Sequence, residues 1–481
     1  MAVLSGRPTP AERLAQPGVV RYLGLIGSVC CAIDAILFGA PAWIRRGVSV
    51  AGILRGPNGV LIMLLWIAGL TALCSAWWYG RRLTVSRRWI LVTAALWIVP
   101  MLAVPPLASR DMYAYACQGS LFDAGFNPSV DAISAQPCPW LESVSVVWRD
   151  TPTPYGPLWI MLSGLAAAFG SQALALAIFR IYAVLSVVAL AVIVPVLARR
   201  LDADEVRASW LVLCCPILAV HVVGGGHNDA LTMALLMGGL ALLVPRDRSI
   251  GWPVAGGALV GAAIAVKTTI GVVLPFAALL AAGGLQAGHD GRMRFLRRGG
   301  AVVAGALGGL LVLSAVSGLG LGWATALSGA GESRSWTSPS TAVGIAINAA
   351  AQWFGVHIDA VPVTRLLALA LMLVALVVLW WRFRRGDPLH GAALACLVVI
   401  FCAPITQPWY LFWALALLAV TTVRTRWLEI AVVASMFLIL PNGDGAWKPL
   451  QVPLAFAMTG LVGWVGWRSV RWLREPVEST P

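Results

Sequence analysis

Long apolar runs alternate along the chain with short polar stretches, and the length of the runs decides the class of protein. A helix crossing the hydrocarbon core needs about 20 mainly apolar residues. Such runs occupy 20–40, 58–79, 89–105, 174–198, 207–223, 229–245, 300–320, 363–381, 389–405, 409–423, 427–440 and 451–467. The stretch 252–283 is apolar apart from Lys267-Thr268-Thr269, and reads as two short helices meeting there. Residues 155–170 are apolar enough to cross, but counting them would invert the side on which Arg199 and Arg200 fall, so they read as a half-inserted or interfacial helix. The pattern predicts an all-α polytopic membrane protein of about 14 spans, folded as one membrane domain over residues 1–481. The first apolar segment is long and lacks a small-residue cleavage site, so no cleavable signal is expected.

Composition agrees with this class. Of 481 residues, 59% are hydrophobic and 11% charged, against about 25% charged in a soluble domain. A net charge of +14 would suggest nucleic acid in a soluble chain. Here the arginines cluster between apolar runs, and 24 of the 34 basic residues fall in segments that the span map puts on one side. By the positive-inside rule that side is cytoplasmic, and both termini lie on it. No nucleic-acid partner is expected, and the membrane lipids are the surrounding solvent. Arg45, Arg46 and Arg55 strain the map by falling outside, in the first loop.

The unusual residues collect on the outer side. The longest polar segment, 106–153, carries Asp111, Asp123, Asp131, Glu142 and Asp150 against Arg110 and Arg149. Its run Asp111-Met112-Tyr113-Ala114-Tyr115-Ala116 suits an interfacial helix with an apolar face in the bilayer. Asp111 would begin that helix, either as a plain N-cap or as a carboxylate placed to take a proton from a bound hydroxyl. The same side holds Gly224-Gly225-Gly226-His227-Asn228-Asp229, the loop 321–362 with Glu332-Ser333-Arg334-Ser335-Trp336, and Gln407-Pro408-Trp409-Tyr410. Asn228 or Asp229 as a helix cap, His227 as a turn residue, and Trp409 and Tyr410 as interface anchors are the plainer readings.

Lys267 is harder to explain as structure. A cation inside a membrane segment costs about 2.5–3.5 kcal/mol on insertion scales and usually has a partner or ligand. It is one of two lysines, with Lys448, in a chain whose positive charge is otherwise arginine. An ammonium near His227 and Arg334 would suit a phosphate. Asp34 is a second ionisable residue inside a span. Of nine cysteines, Cys117 and Cys138 share the outer loop and could pair in an oxidising compartment. No Walker sequence, HExxH or nucleotide fingerprint occurs, so a nucleotide-fuelled pump is not expected.

An outward carboxylate and cations at bilayer depth suit sugar transfer from a lipid-linked phosphate. Such a leaving group needs no general acid, only one base and positive charge for the departing phosphate. No cofactor is needed; a divalent metal stays open. A secondary transporter or lipid flippase is the competing class. Such proteins place charges at the midplane and show repeats, and no repeat is visible here.

The residues also carry a resemblance. Ser109-Arg110-Asp111-Met112-Tyr113-Ala114-Tyr115, with Gly119, Gly125 and Asn127-Pro128, resembles the first outer loop of polytopic GT-C glycosyltransferases. The segments Trp148–Leu158 and Gly226–Leu231 narrow this to the actinobacterial polyprenyl-phosphomannose-dependent α-(1→6)-mannosyltransferases of the MptA/MptB type, which build lipomannan. The resemblance runs from about residue 60 to 440. One departure is Cys214-Cys215-Pro216, where an Asn before the Pro is expected. The resemblance implies a GT-C fold and a polyprenyl-phosphate-mannose donor. It also implies a mannan glycolipid acceptor, inversion at the sugar, Asp111 as the base, and His227, Asn228, Asp229 and Tyr155 around the substrate. Arg110, Lys267, Arg334, Gln407, Trp409 and Tyr410 join that site through the span map. Another lipid-linked sugar, such as arabinofuranose, is the alternative donor.

Overall fold

The computed structural model describes residues 14–39, 49–245, 249–325 and 334–474. Arg7, Arg13, Arg45, Arg46, Arg246, Arg248, Glu332 and Ser333 lie outside them. The described chain is helical, its sole β contact being one isolated bridge between Ile439 and Gly445. Six helices are long and apolar enough to cross a membrane: Pro17–Phe38, Gly59–Gly80, Gln172–Arg200, Gly288–Val316, Val361–Phe383 and Lys448–Arg474. The pair Glu205–Leu213 and Leu218–Gly224, bent by 53°, is either a broken seventh span or a re-entrant loop. The bend falls at Cys214-Cys215-Pro216, where Pro216 supplies no backbone N–H.

The other apolar runs form shorter helices, and here the structure differs from a plain count of 14 full spans. Asp229–Leu243, Gly251–Val266, Thr268–Ala282, Pro388–Cys402 and Pro408–Ala419 each have 10–17 residues. At 1.5 Å per residue such helices reach about 15–26 Å, short of the ~30 Å core. Internal breaks shorten them. The run 252–283 divides at Lys267, as the sequence predicts, with a six-residue 3-10 turn Thr268–Val273 following. Residues 155–170 yield Pro157–Ala167, eleven residues long, which fits the half-inserted reading.

The helix expected at 111 is present as Asp111–Asp123, but it does not lie on a membrane surface. Met112 to Gly119 are all buried, so every face of its first two turns meets protein. Gly119 makes this possible, because a Cβ there would stand 2.0 Å from the Ser163 carbonyl oxygen of the helix Pro157–Ala167.

Small residues set the closest helix contacts, as expected where lipid offers apolar side chains no net drive to associate. A Cβ on Gly257 would stand 2.1 Å from the Val302 carbonyl oxygen, and one on Gly261 2.2 Å from that of Ala306. The helix Gly251–Val266, which ends at Lys267, is thereby seated against Gly288–Val316. Pro17–Phe38 and Gly59–Gly80 meet in the same way at Gly27 and Gly69. The substitution Gly261→Leu would force these backbones apart. Overpacking of this kind costs about 1–3 kcal/mol, so the detergent-solubilised variant should unfold several degrees lower. An unchanged melting temperature would show that the contact is not limiting.

Candidate active site

Three segments converge on one buried point. The first is the start of Asp111–Asp123. The Asp111 N–H donates to Ser109 Oγ at 3.0 Å, which turns the chain into the helix. Just before it, Leu107 N–H donates to the Gly224 carbonyl (3.1 Å) and Ala108 N–H to that of Pro441 (2.8 Å). The second segment is the turn Gly225-Gly226-His227-Asn228. Gly226 has φ +67° and lies against Met112, whose Sδ would be 2.2 Å from a Cβ. A side chain there would be both strained and in collision. The third is the break at Lys267, onto which Gly156 N–H closes by donating to the Val266 carbonyl at 3.3 Å.

At the centre is a buried ion pair. Lys267 Nζ donates to Asp229 Oδ1 at 2.8 Å and to Asn228 Oδ1 at 3.4 Å. Trp413 Nε1–H donates to the same Asp229 oxygen at 2.6 Å. Lys267 Nζ also lies 4.8 Å from the ring centre of Tyr410 and 5.2 Å from that of Trp413. Neither Asn228 nor Asp229 uses its side chain as a helix cap, although Asn228 holds the N-cap position. The capping reading is therefore replaced by binding to Lys267.

Asp111 borders this pair without joining it. Its carboxylate keeps 17% of its surface exposed, and Oδ2 is 3.4 Å from His227 Nδ1. Burial pushes the carboxyl up to about 6, against the opposing influence of Lys267 and of a hydrogen bond from Trp148. Burial also pushes His227 well below the ordinary imidazole range, and His221 and Lys267 add to that. His227 is thus a neutral ring beside a carboxylate. It stacks on Trp409 with 3.7 Å between centres. Trp409 is accordingly a wall of the site and not a membrane anchor.

Tyr155 completes one side. Its hydroxyl is 3.2 Å from that of Tyr115, and the two rings meet edge-on. Tyr115 in turn packs on Trp159 and Phe179. Cys117 and Cys138 form a disulfide, with Cα atoms 5.4 Å apart, tying the helix to the rest of its loop.

The structure thus gathers Asp111, Tyr155, His227, Asn228, Asp229, Lys267, Trp409 and Tyr410. It does not gather the remaining candidates. Arg334 stands half exposed and makes two hydrogen bonds to Asp359, at 2.9 and 2.6 Å. No contact of Arg334 with the cluster exists among the described residues. Arg110 holds the N-cap position of Asp111–Asp123 in the field of Asp444, which binds Lys448 at 3.1 Å. Gln407 precedes the turn Pro408–Tyr410, and its side chain makes no hydrogen bond among the described residues.

Sequence reasoning missed four residues. Trp413 lies one turn after Tyr410, so helical spacing could have found it. Trp148 begins a quoted motif. Arg180 is an arginine in the middle of an apolar run, and the argument applied to Lys267 applies equally to it. It is buried and donates to the carbonyls of Leu102 (2.6 Å) and Gly224 (3.3 Å), bracing the turn before His227. His221, fully buried in a π-helical turn with its ring 5.3 Å from Trp409, gave no signal, because a π turn is not visible in periodicity. Among the described residues no three His, Cys, Asp or Glu side chains are grouped so as to hold a metal.

Comparison with known proteins identifies the family. Residues 21–283 match the family model for the alpha-(1->6)-mannopyranosyltransferase N-terminal domain, and residues 340–468 match that for the MptB C-terminal domain. The chain is 32% identical to alpha-(1->6)-mannopyranosyltransferase A of Mycobacterium tuberculosis, over 87% of this chain and 82% of that protein. It is 28% identical to the protein of that name from Corynebacterium glutamicum, over 85% of this chain and 88% of the relative. Alpha-(1->6)-mannopyranosyltransferase B of the latter organism is 27% identical, over 94% and 83%. No solved structure matches. Both family models, and relatives aligned over most of their length, converge on one conclusion: the chain belongs to the family of alpha-(1->6)-mannopyranosyltransferases.

Proposed function

We propose that the protein transfers mannose from polyprenyl-phosphate-mannose to a mannan glycolipid of the lipomannan type, forming α-(1→6) linkages at the outer face of the membrane. The observation that carries this reading is the contrast between two carboxylates in one site. Asp229 is fully buried and bound to Lys267 and Trp413. Asp111 is partly open, and burial holds its proton affinity high. A base must be reachable, so Asp111 takes the role. It accepts the proton of the acceptor 6-hydroxyl while that oxygen bonds to the mannose C1. The bond from C1 to the phosphate oxygen breaks on the opposite face, and the lipid phosphate leaves with the electron pair. One displacement inverts the sugar, turning a β-linked donor into an α-linked product.

Lys267 supports the departing charge. An ammonium has three donors, and two are bound to Asp229 and Asn228. The third is free to meet a phosphate oxygen, and the Tyr410 and Trp413 faces keep the cation in place. Arg334 has no part in this step. The aromatic walls Tyr155 and Trp409 suit the apolar faces of sugar rings.

Purified protein carrying Asp111→Asn should lose about 10²–10⁴-fold in transfer from polyprenyl-phosphate-mannose to a short α-(1→6)-mannoside, at unchanged melting temperature. The base must be ionised to act, so wild-type kcat/KM should rise with pH up to about 6 and level above. Full activity in the variant removes Asp111 as base. A profile flat from pH 5 to 7 contradicts a burial-raised carboxyl.

Removing one member of a buried ion pair costs about 3–5 kcal/mol, so Lys267→Met should fold poorly. Lys267→Met combined with Asp229→Asn should regain stability without regaining donor affinity. If the double variant binds donor like wild type, Lys267 is structural only.

The orientation has its own test. His357 and Gln286 are exposed and lie at opposite ends of Val361–Phe383. In intact cells His357→Cys should react with an impermeant maleimide and Gln286→Cys should not. The reverse pattern inverts the map.

A further inference from the structure

We infer that the protein binds an anionic phospholipid in a groove outside the active site. The groove is a cavity of about 440 Å³ between the helices Leu274–Ala282 and Gly288–Val316. Ala278, Phe295, Gly299, Gly300, Val303 and Leu307 are among its walls. Two adjacent glycines make the hollow: a Cβ on Gly300 would have no atom within 4 Å, and one on Gly299 would only touch Ala278.

Its dimensions and charge select the occupant. From Phe295 to Leu307 the helix rises about 18 Å, close to the ~15 Å depth of one leaflet's hydrocarbon. The groove therefore has the length of a single acyl chain lying along the helix. Arg292, Leu296, Gly299, Val303 and Leu307 recur at three- and four-residue spacing, so they share one face. Arg292 thus stands one turn beyond the end of the groove, at headgroup depth. It is exposed and has no ion pair or hydrogen bond among the described residues. Nearby Arg298 is already bound to the Ala281 and Ser249 carbonyls. Asp290, the acid of this turn, lies beside His289 at 3.5 Å. An apolar slot ending in an open guanidinium fits an acyl chain whose headgroup carries a phosphate and no compensating cation.

The headgroup end of the groove is separate from the transferase site. Gly288–Val316 runs parallel to Gly251–Val266, because Gly257 faces Val302 and Gly261 faces Ala306. Arg292 and Phe295 are thus level with the Gly251 end, about 24 Å along the helix from Lys267. That end also carries the arginine-rich segments, where Arg385 reaches the Leu285 carbonyl.

Native mass spectrometry of the full chain, released from detergent with phosphatidylglycerol or phosphatidylcholine added at equal ratios, tests this. Wild type should retain phosphatidylglycerol in preference. Arg292→Gln should weaken that retention about fivefold, the factor equal to ~1 kcal/mol for one basic side chain at an anionic surface. Gly300→Phe, which enters the hollow without a clash, should abolish it. Arg294→Gln, on the opposite face of the helix, should leave it unchanged, and all three variants should keep transferase activity in detergent. Equal retention of phosphatidylcholine, or an equal loss in Arg294→Gln, overturns the proposal. Displacement of phosphatidylglycerol by added polyprenyl phosphate also overturns it, because the occupant would then be an isoprenoid chain.

Discussion

The arrangement of the site depends on one buried contact, Lys267 with Asp229. Neither charge is tolerable alone at bilayer depth. Together they bind three separate stretches of chain: the end of Gly251–Val266, the start of Asp229–Leu243 and, through Trp413, the helix Leu411–Ala419. The pair also sets the field in which Asp111 works. Burial, the largest influence, raises the Asp111 proton affinity; Lys267 opposes it and Asp229 adds to it. A single ion pair thus acts as staple and as electrostatic reference. This explains why the glycine contacts that seat Gly251–Val266 are so close: the lysine can only be placed as accurately as its helix.

Much of this was legible in the sequence, for definable reasons. Intramembrane charge is rare, so Lys267 stood out, and its partner proved to be an acid already singled out on other grounds. The break at Lys267-Thr268-Thr269 was visible because three polar residues interrupt an otherwise apolar run. The pairing of Cys117 with Cys138 was visible because the other seven cysteines fall in spans. The span count was less legible, because hydropathy reports where apolar residues lie but not where proline or a 3-10 turn cuts a helix short.

Position along the chain misled in the other cases. Arg334 sits in a loop assigned to the same side as the site, but a side means a plane, not a point. Asp359 is 25 residues away and still the nearer partner. The sequence places the helix at Asp111 on the membrane surface, yet Gly119 lets it sink against Pro157–Ala167, a contact that hydropathy does not report. Arg180 was overlooked although the rule used for Lys267 applies to it, since its partners are backbone carbonyls that no side-chain motif reveals.

The shortness of two helices has a consequence for the membrane itself. Asp229–Leu243 and Gly251–Val266 have 15 and 16 residues, so each rises about 23 Å. The hydrocarbon slab is about 30 Å thick, and a rod shorter than the slab cannot have both ends in the headgroup layer. Both helices carry the ion pair at one end. With the opposite ends at the headgroup layer, the end bearing the pair lies about 7 Å below the lipid surface, a mismatch that thinning or bending of the bilayer can meet. In the proposed reaction, a lipid phosphate reaching Lys267 sinks by several ångström from its resting level, and a sugar chain descends from the aqueous side to meet it. The proposed chemistry is then set where water is scarce, which favours the sugar hydroxyl over water as the attacking group.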